Sequence, residues 1–367
     1  MTLIKRTTIF KSASLWFCLG ACLSLASCGG SRENDAAVLS EGSLALALEQ
    51  VIDGTVIVAS EQFASEVSHF NSSIDSFCAA PDESGLSQLQ ADWKTMANAW
   101  YQLVPFNFGP LYDDTVFPAY QYVDSFRVRG TNYTATVRTL IQNLITADTD
   151  VSSSYFDTRT FQYVGLLPLE VAVFETASGQ SQLAADIITE FQQQPRKCEV
   201  MAGLAGSLQN RADYVVNGWT ADHLESGTPY RDLFLAAELD DGSAPLTALI
   251  SAVQSYLDYL QQRDTVSNVA ALSGNAWPEM QASIDVISEM LDGSEATTVS
   301  LLELIESAGN ITEANTVRSN LVQASDAISD QDATTFNSMA AALDGNFKRE
   351  IPNGLDVSLG INFSDGD

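Results

Sequence analysis

The sequence predicts an all-α protein built as two helical bundles. Apolar residues recur every three or four positions through most of the chain. No stretch alternates convincingly in the two-residue rhythm of a strand, and turn-rich segments such as Glu238-Leu239-Asp240-Asp241-Gly242-Ser243 separate the helical ones.

Leu48, Ile52, Val56, Ala59, Phe63, Val67, Phe70, Ile74 and Phe77 form one continuous stripe, which predicts a long amphipathic helix ending before Pro81. A second helix is expected from Gly85 to Leu103, with Trp93 and Trp100 seven apart on its core face, and Phe108-Gly109-Pro110 beyond its end. Thr131–Thr146, Pro168–Thr176 and Gln182–Gln192 follow. Cys198–Trp219 carries Met201, Leu204, Leu208, Val215 and Trp219 on one stripe. Ala202, Gly203, Ala205 and Gly206 in that helix would let a neighbouring backbone approach closely. The second half continues in the same style. Leu246, Leu249, Val253, Leu257 and Leu260 form one stripe, and Met280, Ile284, Ile287 and Leu291 another. Further helices are expected near Leu301 and Ala324 and from Phe336 to Leu343. The expected organisation is residues 1–27 as a signal, 28–38 as a tether, 39–220 as a first bundle and 221–367 as a second with a tail.

The signal assignment rests on Lys5, Arg6 and Lys11, followed by an apolar run from Leu15 and then Leu25-Ala26-Ser27-Cys28. A short basic segment, an apolar core and small residues before a cleavage point define a secretory signal peptide, not a membrane span. A cysteine directly after Leu-Ala-Ser resembles a bacterial lipoprotein signal, in which Cys28 becomes the lipidated first residue. Gly29 rather than Asp at the next position favours the outer membrane in that pattern. The protein is therefore expected in the cell envelope, held on the outer membrane by lipid and facing the periplasm. Of five cysteines, Cys18 and Cys22 leave with the signal and Cys28 takes the lipid. Cys78 and Cys198 remain, and in an oxidising compartment a disulfide between them is the default expectation. The 47 acidic residues against 17 basic give a formal charge of −30, which argues against nucleic acid or an anionic lipid surface as partner.

Several chemistries lack their residues. With only His69 and His223, no His-Glu-x-x-His zinc motif exists, and neither a Gly-x-Ser-x-Gly elbow nor a glycine-rich phosphate loop is present. Glu66 and His69 form one Glu-x-x-His pair, but His223 has Thr220 where a second pair needs a glutamate. Glu66-His69 reads as a solvated helix edge, and Asp113-Asp114 and Asp240-Asp241 read as turn and cap residues.

The stretches "ADWKTMANAWYQLVPFNFGP", "VGLLPLEVAVFE", "PRKCEVMAGLAGSLQNRADYVVNGW" and "LGINFSDGD", in this order, resemble the imelysin-like family in its predicted bacterial lipoprotein branch. The resemblance covers the chain from about residue 44 to its end. It implies two four-helix-bundle-like domains sharing a pocket, a peptidase by the family's original naming, and an association with iron acquisition. The family signature is Gly-x-His-x-x-Glu. Gly165 and Glu170 match it, Val171–Phe174 supplies the following apolar run, and Leu167 stands where the histidine is expected.

Histidine and glutamate three apart share a helix face and can hold one metal or trade a proton; leucine does neither. No catalytic residue is therefore assigned. Pro168 suits the first helical position, which would put Glu170 in the first turn, near the free N–H groups. The pocket expected on this resemblance comprises Gly165, Glu170, Arg127, Asp365 and Asp367. Arg127, with Arg129 nearby, would pair with Glu170 or hold an anionic group, and the tail carboxylates would suit a hard cation. The leading function is a non-enzymatic binding protein of iron or haem uptake, with an uptake receptor as partner. A metallopeptidase, or an interaction lipoprotein with a vestigial pocket, are the alternatives.

Overall fold

The chain runs through α1 (Glu41–Val51), one π-helical turn (Ile52–Val56) and α2 (Ile57–Ala79) as a single long helix. Its predicted stripe is the buried one: Phe63, Val67, Phe70, Ile74 and Phe77 all face the core. Pro81 and Asp82 then turn the chain. The Asp82 carboxylate accepts the Gly85 N–H at 2.7 Å, satisfying a free donor at the start of α3 (Glu83–Leu103). The computed structural model describes residues 41–113, 117–124, 131–239, 242–294 and 296–356. Cys28, Asp114, Arg127, Arg129, Asp240, Asp241, Asp365 and Asp367 lie outside those residues.

Past two 3-10 turns that include Phe106 and Pro110, the first half adds α4 (Thr134–Thr146), α5 (Ser153–Asp157), α6 (Leu166–Phe174), α7 (Ala184–Gln193) and α8 (Arg196–Thr220). The second half contains α9 (Tyr230–Leu235), α10 (Pro245–Gln262), α11 (Thr265–Asn268), α12 (Ala276–Asp292), α13 (Leu301–Ser307), α14 (Ile311–Ser329), α15 (Ala333–Lys348) and α16 (Glu350–Gly354). Among the described residues no β-strand occurs. The all-α expectation is met.

Helix α2 packs on both α3 and α8 in the first half, and α10, α12, α14 and α15 form the second bundle. Helix α12 lies against α3, so the hydrophobic core runs without a break through both halves. Buried rings fix this packing. Phe63 meets Trp100 at 5.2 Å between centroids, and Trp93 meets Phe174 edge-on at 5.4 Å. The small residues of α8 act as the sequence suggests. A Cβ on Gly203 would sit 1.8 Å from the Val151 carbonyl oxygen, so only glycine lets the chain ahead of α5 lie on α8.

Beneath α6 a buried ionic network closes the first half. Arg138 donates from Nε and Nη2 to the two oxygens of Glu175 at 2.5 and 2.6 Å. Lys197, fully buried, donates to the Glu175 carbonyl and to Glu190. Burial lowers the Lys197 pKa, and the charges of Glu190 and Glu175 oppose that shift. Next to it, Cys78 at the end of α2 and Cys198 at the start of α8 form the expected disulfide, with their Cα atoms 5.9 Å apart.

Candidate functional site

Gly165 sits at φ 86°, ψ −151°, a conformation essentially reserved for glycine, and the Leu166 N–H donates to the Val123 carbonyl at 2.8 Å. This contact draws the Tyr122–Asp124 segment against the start of α6. It corrects the expected start of the helix. Leu166 is the first helical residue and Pro168 the third, where its missing N–H is still one the helix could not use. Glu170 consequently lies past the first turn and draws nothing from the α6 N–H groups.

Its partners come from the other half of the chain. Glu170 is 3% exposed, and its Oε1 accepts the Leu272 N–H at 3.1 Å, the Ser273 N–H at 2.9 Å and the Ser273 hydroxyl at 2.8 Å. All three hydrogen bonds fall on Oε1, leaving Oε2 without a protein donor among the described residues. Burial pushes the Glu170 pKa up; the Ser273 and Leu272 donors pull against it, and the Glu175 charge adds to the rise.

Glu170 lines a cavity of about 250 Å³ between α3, α4, α6 and the segment joining α11 to α12. Two further carboxyls line it. Asp124 is buried and accepts the Tyr101 hydroxyl at 3.0 Å. Glu279 is 1% exposed; its Oε1 accepts Asn275 Nδ2 at 3.1 Å, and its Oε2 has no partner among the described residues. Burial drives the Glu279 pKa well above the ordinary range, with Glu170 and Asp124 adding to the rise and Asn275 and Lys94 opposing it. The Tyr101 pKa also rises steeply, through burial and then the Asp124 and Glu279 charges. Trp93, Tyr133 and Leu167 supply ring and alkyl wall.

The cavity is thus lined by three carboxyls and by aromatic rings, with the Arg138 side chain, paired to Glu175, also in its wall. Among the described residues, no three His, Cys, Asp or Glu side chains converge to hold a metal ion. Neither histidine reaches it. His69 is on the surface, 3.4 Å from Asp92, and His223 is buried 2.9 Å from Asp113. Of the residues expected at the pocket, Glu170 lines this cavity and Gly165 adjoins it through Leu166. Glu279 was not among those expected, although it interrupts the buried Ala276–Met280–Ser283 face of α12, and a lone acid on such a face is a readable signal.

The imelysin family model matches residues 57–357. The chain belongs to the imelysin family. Among solved structures it is similar to an imelysin-like protein from Psychrobacter arcticum, with a TM-score of 0.66 and 14% identity over 88% of this chain and 98% of that one. It is also similar to a protein named as an iron-regulated protein A precursor from Parabacteroides distasonis, with a TM-score of 0.59 and 11% identity over 88% and 97% of the two chains. At these identities the likeness is one of fold. A search of curated proteins finds no significant match.

In this imelysin chain Leu167, at the histidine position, presents only an alkyl group to the cavity. The acids there oppose folding as they ionise. A carboxyl whose folded pKa is raised contributes stability that is present below the unfolded value, near 4.5, and lost as pH climbs through the folded one. Glu279→Gln removes that loss. It is expected to stabilise the protein by about 1–3 kcal/mol at pH 7.5 and by little at pH 4.5. Urea titrations at the two pH values check this, and an equal gain at both would show that Glu279 ionisation is not the cause.

Proposed function

We propose that this imelysin-family chain is a non-enzymatic binding protein of the cell envelope, serving iron acquisition with the Glu170 cavity as its ligand site. The observation that carries this is Glu170 itself. It is a buried carboxylate with one oxygen fixed by three donors and the other without a donor among the described residues, beside two more buried carboxyls. Such a chamber favours a cation. Because the protein side chains do not close a coordination shell, the cargo is iron that brings part of its own, as a hydrated or chelated ion. Haem fits less well: among the described residues no histidine, cysteine or methionine lines the cavity, and the Tyr101 hydroxyl there is already given to Asp124.

The iron-regulated name of the Parabacteroides neighbour supports the reading. The signal-like order ending at Cys28 and the Cys78–Cys198 bridge support an oxidising envelope compartment. On this reading Cys28 carries lipid, the body faces the periplasm from the outer membrane, and an uptake receptor is the partner.

Titration of the disulfide-bonded protein with ferric citrate and with ferrous ion, followed by calorimetry, tests the proposal. Saturable micromolar binding is expected, weakened at least about tenfold by Glu170→Gln, a loss of ~1.4 kcal/mol or more. Binding of neither probe would overturn it and leave an interaction protein with a vestigial pocket. Chelator-sensitive cleavage of a peptide library would instead favour the peptidase reading.

A further inference from the structure

A second cavity, of about 230 Å³, lies apart from the Glu170 chamber and shares no lining residue with it. Its walls are mainly apolar, with Phe63, Trp100 and Val215 among them, and exposed Asn210 and Tyr214 stand at its rim. Arg211 of α8 also lines it. The guanidinium lies over the Tyr122 ring at 4.5 Å, yet among the described residues its Nε and Nη2 have no hydrogen-bond partner although both atoms are sealed from water.

Those two N–H groups form one edge of the guanidinium, the fork that matches a carboxylate. The same edge is filled elsewhere in this protein. Arg138 uses Nε and Nη2 on Glu175, and Arg231 uses them on the two oxygens of Asp53, both at 2.6 Å. Beside Arg211 the nearby acids are already engaged. Asp157 accepts Ser207 Oγ at 2.7 Å and Asn210 Nδ2 at 2.8 Å, and Asp113 accepts the Tyr214 hydroxyl at 2.6 Å and meets His223. Burying donors without partners is costly, so an empty arginine fork beside a cavity points to a missing acceptor within reach of a side-chain rotation.

We propose that this cavity binds a small monocarboxylate with an apolar body, its two oxygens on the Nε–Nη2 edge of Arg211 and its body against Phe63, Trp100 and Val215. Asp113 and Asp157 at the wall disfavour phosphates and dicarboxylates, because a second negative charge would face theirs. Engagement requires the guanidinium to turn into the cavity it lines, a movement that no side-chain hydrogen bond of Arg211 to the described residues opposes. Burial lowers the Arg211 pKa, with Asp157 and Tyr122 opposing the shift, and an added carboxylate acts in the same direction as they do. Trp100 is a ready reporter, since it is fully buried in the cavity wall and its indole N–H has no partner among the described residues.

Benzoate is the probe. Calorimetry and tryptophan fluorescence on the disulfide-bonded protein are expected to show one saturable site, at least about tenfold tighter for benzoate than for benzyl alcohol or benzylammonium. Arg211→Lys keeps the charge but loses the fork, and is expected to weaken benzoate about tenfold or more. Val215→Phe fills part of the cavity one turn along α8 from Arg211 while keeping the arginine, and is expected to abolish binding. Glu170→Gln leaves benzoate binding unchanged, which separates this site from the iron reading. The proposal is overturned if benzoate fails to saturate by about 10 mM, if Arg211→Lys binds it as the native protein does, or if benzyl alcohol binds equally well.

Discussion

Gly165→Ala is expected to cost about 4 kcal/mol or more of stability, and at physiological temperature to leave much of the protein unfolded. Two independent penalties combine. The backbone at φ 86°, ψ −151° suits glycine alone, and holding alanine there costs about 1–3 kcal/mol. The new Cβ would also fall 2.2 Å from the Val123 carbonyl oxygen and 2.6 Å from that of Tyr122, and both obstacles are backbone. Relief requires the Tyr122–Asp124 segment to retreat, breaking the Leu166 N–H bond to Val123 and moving Asp124 out of the cavity. Gly206→Ala in α8 is the control, since its Cβ would meet only the Ser153 side chain at 3.1 Å and a small loss is expected. Urea unfolding of both variants measures the difference. If Gly165→Ala costs less than about 1 kcal/mol, the segment yields freely and the glycine is not what fixes the site.

That prediction redefines the Gly-Leu-Leu-Pro-Leu-Glu stretch. Its glycine acts through backbone shape and its glutamate through partners about a hundred residues away, and only the residue types are visible locally. Helical periodicity located every long helix, because a stripe facing one core repeats within a few residues. Trp93, Trp100 and the small residues of α8 were legible for the same reason. Periodicity is blind to what crosses between bundles. The expected first-turn position of Glu170 failed because Gly165, not Pro168, fixes where α6 begins. The N–H groups that hold Glu170 belong to Leu272 and Ser273, a segment with no pattern of its own. Glu279 was passed over because its helix was read for its apolar stripe, where an acid counts as a gap. The short helices α5, α9, α11 and α16 are too brief to show a period, and the π-helical turn at Ile52–Val56 leaves the stripe of apolar residues unbroken.

Removing the Cys78–Cys198 bridge is expected to cost about 4 kcal/mol, the second large effect in the molecule. The two cysteines are 120 residues apart in sequence, and the loop between them contains α3 to α7, including Glu170. In the chain-entropy account a cross-link of that span withdraws about 4–5 kcal/mol of freedom from the unfolded chain, most of which is regained when it is cut. The helices it joins keep other contacts. Asn71 of α2 reaches the Ala205 carbonyl of α8, Gln209 reaches Ala64, and the buried stripe of α2 stays packed. The native arrangement should therefore survive reduction, with a midpoint lowered by roughly 5–10 °C. Lys197 adjoins Cys198, so loosening here reaches Glu190 and Glu175 before it reaches the Glu170 cavity. Both sulfurs belong to half-buried residues, so a phosphine reductant can reach them in the folded protein. Calorimetry should give the reduced native protein and Cys78→Ser/Cys198→Ser the same midpoint within error, below that of the oxidised protein. If the double variant melts with the native oxidised protein, the α2–α8 packing alone sets the stability. The bridge would then act only on the rate of unfolding, a difference that stopped-flow dilution into urea resolves.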